Sequence, residues 1–243
     1  MQKLKILLAA VLFAPALAVS TAALASEALH LDPAPDVSGD KDALQNGARL
    51  FVNYCLSCHG ASALRYNKLL ELGLTEAQIV ENLMFTTDKI GDPMTVAMTP
   101  ADAKKWFGVT PPDLSIIARA RASADGSGAD WLYTYLRSFY RDETRPTGWN
   151  NVVFANVGMP HILFDLQGEQ ILDAEGKLQP AASGTLLAAD YDKQVADLVG
   201  FLTWMSEPQA EFRKRLGVGV LIFLVLLFGF AYALKKEYWK DVH

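Results

Sequence analysis

The sequence predicts a mainly α-helical fold in which a globular body is followed by a single C-terminal transmembrane helix. Apolar residues recur at helical spacing behind residues that commonly cap helices, among them Thr75 and Thr99. Near the C-terminus, residues 216–234 carry no charge at all. A third observation is the stretch Cys-Leu-Ser-Cys-His at residues 55–59, which holds both cysteines of the 243-residue chain. These three observations set the order in which the chain is interpreted.

The cysteine-containing stretch has the C-x-x-C-H pattern of covalent c-type haem attachment. One turn of chain presents Cys55 and Cys58 to the two vinyl groups of a porphyrin, and the adjacent His59 can take the proximal iron position. A zinc site would require four N or S ligands, and a thioredoxin-like pair would require a βαβ context instead of the helical periodicity around this motif. A structural disulfide would leave the histidine without a role. We therefore expect one covalently bound haem c, with His59 as an iron ligand.

Residues 1–25 are typical of a secretory signal peptide. Lys3 and Lys5 precede the apolar residues 6–19, and Ala23-Leu24-Ala25 forms a small-x-small cleavage site. An uncleaved anchor is the alternative, which the short apolar core disfavours. Export agrees with the haem motif, because bacteria attach c-type haem outside the cytoplasm. We expect the haem domain to occupy residues 26–210.

Start signals predict several helices in chain order. Asp40 or Asp42 caps a helix that leads into the haem motif, and Thr75 with Gln78 forms a capping box. Thr99 precedes a proline at the first helical position. The helix behind Thr75 is expected to bury Ile79, Val80, Leu83 and Met84. Two later helices are expected over residues 131–140 and 190–206.

Between these helices the sequence predicts irregular chain. Residues 86–98 and 142–164 contain glycine and proline without helical periodicity, and residues 125–128 form a flexible break. A hairpin is expected over residues 170–179, turning near Gly176. No internal repeat or low-complexity segment is visible.

The uncharged run near the C-terminus is long enough to cross a membrane. At about 1.5 Å per residue it spans roughly 28 Å, close to the ~30 Å hydrocarbon core of a bilayer. Basic residues flank it at 213–215 and 235–236. We expect an anchor at residues 211–236 and a cytoplasmic tail at 237–243. Because the signal peptide directs the body outward, the haem domain is expected in the periplasm, held by one pass at the bacterial inner membrane.

The charge balance of residues 26–210 is acidic, with 24 acidic and 14 basic residues and a net charge of −10. Such a surface disfavours nucleic acid and suits a basic protein partner. The densest acidic stretch, residues 165–197, holds seven carboxylates. We expect it to steer the partner if it folds beside the haem edge; the alternative is a solvated acidic loop far from it.

The second axial ligand of the iron has several candidates. They are Met84, Met94, Met98, Met159 and Met205, with His30, His161 and His243 as nitrogen alternatives. Met159 is favoured because it lies in an irregular segment before a proline, about a hundred residues beyond His59. Met94 and His161 remain open alternatives. A His/Met pair raises the iron potential, which suits electron transfer.

The sequence resembles the cytochrome c1 family, the haem subunits of bacterial cytochrome bc1 complexes. Four features carry the resemblance: the haem motif, Pro-Pro-Asp-Leu-Ser at 111–115 followed by Ala-Arg-Ala-Arg at 118–121, Asn-Val-Gly-Met-Pro at 156–160, and the C-terminal membrane helix. The resemblance implies a mainly α, cytochrome-c-like single-haem domain with loop insertions. It also implies that Cys55 and Cys58 bind the haem and that His59 and Met159 ligate the iron.

The resemblance further implies that Pro112 packs near the haem edge and that an arginine pairs with a haem propionate. Residues two apart on a helix do not share a face, so one of Arg119 and Arg121 is expected to do so, and Arg121 is favoured. Where the family often has a tyrosine, this chain has Trp131. The residues around 150–154 also depart from the more aromatic, proline-rich form of mitochondrial members.

As a member of such a complex, the chain is expected to relay electrons and not to be an enzyme by itself. The expected partners are cytochrome b, the Rieske iron–sulfur protein and a soluble periplasmic cytochrome c, within a dimeric complex. Two alternatives are a membrane-anchored cytochrome c that serves a terminal oxidase, and a haem sensor with a weak sixth ligand. Co-purification with oxidase subunits, in place of cytochrome b and the Rieske protein, would indicate the first alternative. Binding of carbon monoxide to the haem would indicate the second.

Overall fold

The structure is a computed structural model that describes residues 30–96 and 98–241. The chain divides between His30 and Leu31, and the residues from Leu31 onward form one unit. The expected signal peptide at residues 1–25 and His243 lie outside the described residues.

The described helices and strands are labelled here in chain order. The α-helices are α1 Lys41–Leu50, α2 Glu76–Asn82, α3 Pro100–Phe107, α4 Ile117–Ala120, α5 Gly128–Arg137, α6 Phe164–Gln167, α7 Ala188–Ser206 and α8 Ala210–Tyr238. A π-helical turn, Phe51–Cys55, continues α1, and a 3₁₀ helix covers Tyr66–Leu72. The antiparallel strand pairs are β1 Ala61–Arg65 with β2 Pro93–Met94, β3 Phe139–Arg141 with β4 Trp149–Asn151, and β5 Gly168–Leu172 with β6 Leu178–Ser183.

Helix α7 is the centre of the packing, with α1, α4 and α5 against it. The crossing of α1 over α7 is close because Gly47 has no side chain: a Cβ there would lie 2.1 Å from the Asp197 carbonyl oxygen. Beside this crossing, the rings of Phe51 and Phe201 lie 5.7 Å apart. Five apolar residues recur at helical spacing in this predicted helix, and all are buried: Val195, Leu198, Val199, Leu202 and Met205. The amphipathic pattern therefore identified the central helix correctly.

Helix α5 is fixed at both ends. At its start, a Cβ on Gly128 would lie 1.6 Å from the Ala118 carbonyl oxygen, so only glycine permits this contact with α4. At its end, Arg137 binds Asp32 at 2.8 Å and Asp192 at 2.6 Å. The N-terminal leader and α7 are thereby attached to the same helix.

The predicted helix starts are confirmed. Asp40 caps α1, Thr75 and Gln78 form the capping box of α2, and Thr99 caps α3. Val80, expected on the buried face of α2, is 43% exposed, because this two-turn helix buries only a narrow stripe around Ile79. That part of the prediction is wrong.

Two boundaries also differ from expectation. The helix expected over residues 131–140 ends at Arg137, because Phe139–Arg141 pairs with Trp149–Asn151 as a strand. The haem motif has helical chain before it, but the strand β1 follows it. The hairpin is confirmed, with Gly176 in the left-handed region of its turn at a φ of 76°.

Helix α8 contains the apolar run and is exposed along its length, with a mean hydropathy of 2.5 in its most apolar window. No other helix within residues 30–96 and 98–241 is both long and apolar enough to cross a membrane. Its 29 residues span roughly 43 Å at the usual rise, so the helix extends beyond a ~30 Å hydrocarbon core. The basic residues at both ends of the apolar run are therefore able to reach the interfaces.

Candidate haem site

The haem motif forms a tight turn at the end of α1, here called the proximal turn (residues 55–59). The π-helical residues lead into it, and the Cys55 carbonyl oxygen accepts from the amides of Cys58 at 3.1 Å and His59 at 2.8 Å. Both cysteines are free thiols, Cys55 buried and Cys58 half-buried. Burial raises the pKa of Cys55 to about 12. One turn of backbone therefore holds both thiols and the imidazole together.

The orientation of His59 is set by a backbone carbonyl from far along the chain. The Nδ1 atom lies 2.8 Å from the Pro112 carbonyl oxygen. Because that oxygen only accepts, Nδ1 carries the proton and Nε2 keeps a free lone pair. Burial lowers the pKa of His59, which favours the neutral ring. A neutral imidazole with an oriented Nδ1–H is the form that ligates a metal.

Pro112 is held by the segment around it, here called the strap (residues 111–115). The Leu114 amide donates to the Gly60 carbonyl oxygen at 2.7 Å, and the Asp113 carboxylate accepts from the Ser62 amide at 2.8 Å. The same carboxylate accepts from the amide and hydroxyl of Ser115. Desolvation raises the pKa of Asp113, but the hydrogen bonds from Ser115 and Ser62 outweigh it and the pKa is lowered. The strap therefore holds the Pro112 carbonyl oxygen in place, and that oxygen orients His59.

A cavity of about 370 Å³ opens beside the proximal turn. Its wall is mostly aliphatic, with Leu132, Leu136, Val157, Ile162, Leu198 and Leu202 among its residues. Six of the seven predicted site residues also line it, namely Cys55, Cys58, His59, Pro112, Arg121 and Met159. Pockets for cofactors are concave and largely apolar, with a few polar groups, and this cavity has that character.

Met159 belongs to an irregular segment, here called the Met159 loop (residues 152–160). Asn151, which is 1% exposed, directs this loop: its Oδ1 accepts from the amides of Val153 at 2.9 Å and Phe154 at 3.1 Å. Its Nδ2 donates to the Tyr135 carbonyl oxygen at 2.8 Å. A loop without helix or strand pairing needs such side chains to satisfy its amides.

The other end of the Met159 loop is held by a second asparagine and an arginine. Asn150 Oδ1 accepts from the Asn156 amide at 2.8 Å. Asn156 adopts a φ of 62°, and Arg145 binds both its side chain and its carbonyl oxygen. The consecutive asparagines were visible in the sequence as a sign of irregular chain, but their role in holding Met159 was missed. Their position shortly before the methionine was the available signal.

The Met159 sulfur itself has one polar partner. The Tyr135 hydroxyl lies 3.3 Å from it and donates, since a thioether has no proton to give. Tyr135 also lines the cavity and was not singled out from the sequence.

Arg121 and Arg119 differ in position. Arg121 lines the cavity, with its guanidinium 4.3 Å from the Trp131 ring centroid and 5.4 Å from that of Phe154. Arg119 does not line the cavity; its exposed side chain lies 3.9 Å from Glu207. Of the two arginines, only Arg121 is placed to meet a charged group inside the cavity.

The other candidates for the second axial ligand lie elsewhere. Met94 and Met205 are buried away from the cavity lining, and Met98 lines a separate depression of about 260 Å³ next to Cys58. His161 is buried outside the cavity lining, with its ring stacked on that of Phe139 at 4.9 Å. Among the described methionines and histidines, His59 and Met159 line the larger cavity.

The residues present fit a haem c. The lining of this mostly apolar cavity includes two unpaired thiols, an imidazole with an oriented tautomer, a loop thioether and a guanidinium. Within the described residues, no cluster of three or more His, Cys, Asp or Glu side chains is arranged to hold a bare metal ion.

Comparison with known proteins places the chain in a family. Residues 35–242 match the model of the Cytochrome C1 family. The chain is 47% identical to cytochrome c1 of Allochromatium vinosum over 226 residues, covering 88% of this chain and 90% of that one. It is 48% identical over 244 residues, the full length of both chains, to a Nitrosomonas europaea protein named ammonia monooxygenase gamma subunit. Cytochrome c1 of Rhodospirillum rubrum is 30% identical, covering 84% of this chain and 83% of that one.

The chain belongs to the cytochrome c1 family. It is a haem subunit of a cytochrome bc1 complex, whose other subunits include cytochrome b and the Rieske protein, and it carries one covalently attached haem c. It is an electron-transfer subunit and not a catalytic enzyme itself. Within residues 30–96 and 98–241, α8 is the one helix long and apolar enough to span a membrane, which fits a single-pass membrane protein. The monooxygenase name belongs to the Nitrosomonas protein alone.

Proposed function

We propose that this chain accepts single electrons from the Rieske protein and passes them to a soluble, basic cytochrome c in the periplasm. The observation that carries the proposal is the mostly apolar cavity whose lining includes Cys55, Cys58, His59 and Met159. When bound, the haem iron supplies the one-electron chemistry. The residues of the chain supply attachment, orientation and exclusion of water.

Each predicted residue that lines the cavity has a role in this proposal. Cys55 and Cys58 form the covalent links, and His59 ligates the iron through Nε2, because the Pro112 carbonyl oxygen holds Nδ1. Met159 supplies the second axial ligand. Thioether ligation raises the potential, which suits a late carrier in a respiratory or photosynthetic chain.

Arg121 is proposed to pair with a haem propionate. Its guanidinium lies over Trp131, so the stacked ring holds the planar group in place. The carboxylate partner would be bound at the edge of a mostly apolar cavity, where an ion pair is less screened than on the surface. Arg119 has no part in this pairing, because it lies outside the cavity.

The topology of the chain is also part of the proposal. Residues 1–25 form a signal peptide, residues 26–210 form a periplasmic haem domain, residues 211–236 anchor it, and residues 237–243 stay in the cytoplasm. Basic residues flank both sides of the apolar run, so their distribution does not decide the orientation. The signal-peptide pattern at the N-terminus supports it. A chain that ends at Ala210 should be a soluble periplasmic haem protein; retention in washed membranes without partner subunits would contradict the single anchor.

The acidic surface is proposed to attract the acceptor. The net charge of −10 over residues 26–210 supports a basic partner. Of the seven carboxylates in residues 165–197, three form ion pairs inside the chain: Glu169 with Arg141, Asp192 with Arg137, and Asp197 with Lys193. The stretch as a whole is therefore less available for steering than its count suggests.

Asp165 is the acidic residue of this stretch that contacts the cavity wall. Its carboxylate lies 3.5 Å from the hydroxyl of Tyr54, a cavity-lining residue. We propose that it contributes to steering, and that the four-residue set Asp173, Glu175, Asp190 and Asp192 contributes through its summed charge. Asp173 caps its own hairpin turn and Asp192 binds Arg137, so neutralising either also affects structure.

The test is purification of the tagged full-length chain followed by kinetics. Cytochrome b and the Rieske protein should co-purify, in a complex that we propose is dimeric; terminal oxidase subunits in their place would contradict the proposal. The rate of haem oxidation by a basic cytochrome c should fall as ionic strength rises. Asp165→Asn, and the combined neutralisation of the other four carboxylates, should each lower the low-salt rate and flatten that dependence. An unchanged slope would remove these residues from docking.

A further inference from the structure

Tyr135 makes a contact that the proposed roles do not explain. Its hydroxyl donates to the Met159 sulfur at 3.3 Å, and its ring is 8% exposed. Burial raises the pKa of the phenol above its ordinary value, so the proton that makes this bond stays in place across the physiological range.

The position of Tyr135 is fixed by contacts on the protein side. Its ring stacks on Trp131 at 4.8 Å and meets the edge of Phe139 at 5.0 Å. Its carbonyl oxygen accepts from Asn151 Nδ2, and the Asn151 Oδ1 atom accepts from two amides of the Met159 loop. The tyrosine is therefore tied to the loop through its main chain as well as through its hydroxyl.

We propose that Tyr135 is a positioning residue for Met159 and that its hydroxyl lowers the electron-donating strength of the sulfur. This inference rests on the proposed function, in which Met159 ligates the iron. A thioether sulfur has two lone pairs, so it accepts a hydrogen bond with one and keeps the other for a metal. The hydrogen bond withdraws electron density from the sulfur. A weaker donor stabilises ferric iron less than a stronger one, so the bond raises the potential.

Helix α5 offers a matched control in Tyr133. Tyr133 is also buried, at 7% exposed, but it does not line the cavity, and its ring lies 4.4 Å from the Arg137 guanidinium. Tyr135→Phe and Tyr133→Phe each remove one phenol oxygen from the same helix. Phenylalanine keeps the ring of Tyr135 and its contacts with Trp131 and Phe139.

The measurement is a potentiometric titration of the full-length holoprotein, with the absorption band of thioether-to-ferric-iron charge transfer recorded alongside. At a fixed solution potential, Tyr135→Phe should raise the ferric-to-ferrous ratio about threefold, equivalent to about 28 mV for one electron. The charge-transfer band should shift. Tyr133→Phe should change neither quantity.

A double-mutant cycle with Met159→Leu shows whether the effect passes through the sulfur. Tyr135→Phe should lower the potential in the wild-type background and leave it unchanged in the Met159→Leu background. If Met159→Leu keeps the charge-transfer band, the proposed axial ligand is wrong. If that band is lost but Tyr135→Phe behaves like Tyr133→Phe, the ligand stands and the role of Tyr135 is overturned. An equal effect of Tyr135→Phe in both backgrounds overturns it too.

The wild-type protein provides a second measurement in case Tyr135→Phe does not accumulate. In heavy water the same hydroxyl carries deuterium, which alters the hydrogen bond to the sulfur. The charge-transfer band should move on exchange, and a band that does not move would overturn the proposal.

Discussion

The proximal turn and the Met159 loop each hold one proposed iron ligand, but they do so by different means. In the proximal turn, three chemical groups lie within five consecutive residues, and one backbone carbonyl accepts from two amides of the turn. In the Met159 loop, two asparagine side chains and Arg145 bind the backbone amides and a carbonyl that no helix or strand pairs. Local chain geometry therefore positions the first ligand, and a buried polar network positions the second.

This difference predicts how each region should respond to side-chain substitutions. A turn stabilised by backbone bonds tolerates changes in the side chains that are not ligands. A buried polar network is more sensitive, because removing one member leaves several groups without partners at once.

The largest effect should come from the thiols of the proximal turn. Cys55→Ala or Cys58→Ala should remove most of the haem that stays with the polypeptide on a denaturing gel, because each thiol supplies one covalent link. Ser57→Ala, between them, should keep it. Haem that acid–acetone extraction strips from the wild-type protein would contradict covalent attachment altogether.

Met159→Leu should abolish the thioether-to-ferric-iron band and lower the potential, while the covalent haem remains. Leucine has a comparable volume, so the stability cost should stay below about 1.5 kcal/mol. Met94→Leu, at a fully buried methionine away from the cavity, is the control and should keep the band. The reverse outcome would transfer the ligand role to Met94.

Asn151→Ala tests the polar network without touching a ligand. It leaves the amides of Val153 and Phe154 and the Tyr135 carbonyl oxygen without their partner, so the free energy of unfolding should fall by about 2–4 kcal/mol. The charge-transfer band should be lost at a lower temperature than in the wild type, with covalent haem retained. Asn82→Ala, at an exposed asparagine of α2, should cost little. If the two variants unfold at the same temperature, Asn151 does not hold the Met159 loop.

Asp113→Asn should have the smallest effect and should depend on pH. The pKa of Asp113 in the folded chain lies below the ordinary value of 3.8 for an aspartate. A lowered pKa adds stability above the unfolded pKa, and this stability is lost as the pH falls through the folded value. Below about pH 3.8 the wild type should therefore lose stability more steeply than Asp113→Asn.

Thermal unfolding midpoints between about pH 2 and 6 measure this difference. Glu81→Gln, at an exposed carboxylate of α2, is the control for a general change in charge. Parallel curves for the wild type and Asp113→Asn would contradict the strap interpretation.

The same contrast explains how much of the molecule was predictable. The caps at Asp40, Thr75 and Thr99 depend on residues within one turn, and they were predicted correctly from local pattern. The proximal turn is likewise a local motif. The end of α5 at Arg137 was not predicted, because it depends on pairing with Trp149–Asn151, twelve residues further on.

The candidate site was predictable where one residue type implies one chemistry. The cysteine spacing singled out the proximal turn, and Met159 was favoured over Met94 and His161 because of its place in an irregular segment; Arg121 and Pro112 came from the family resemblance. Asn151 and Tyr135 were not identified from the sequence, because asparagine and tyrosine occur in many roles and only tertiary contacts single them out. The approach of Pro112 to His59, across 53 residues, was equally invisible to periodicity.

The sequence separation of these contacts implies an order of assembly. The bonds around Met159 join residues no more than 24 apart, from Asn151 with Val153 to Tyr135 with Met159, so this segment can order as soon as it is made. His59 instead cannot make its hydrogen bond until Pro112 has been made. In the N-terminal leader, Asp32 bonds to Thr134, about a hundred residues further on. A chain exported from its N-terminus presents the proximal turn well before the strap arrives. During the proposed export we therefore expect an interval in which both thiols are accessible to the enzymes that attach haem. This interval ends when the Pro112 carbonyl oxygen reaches His59.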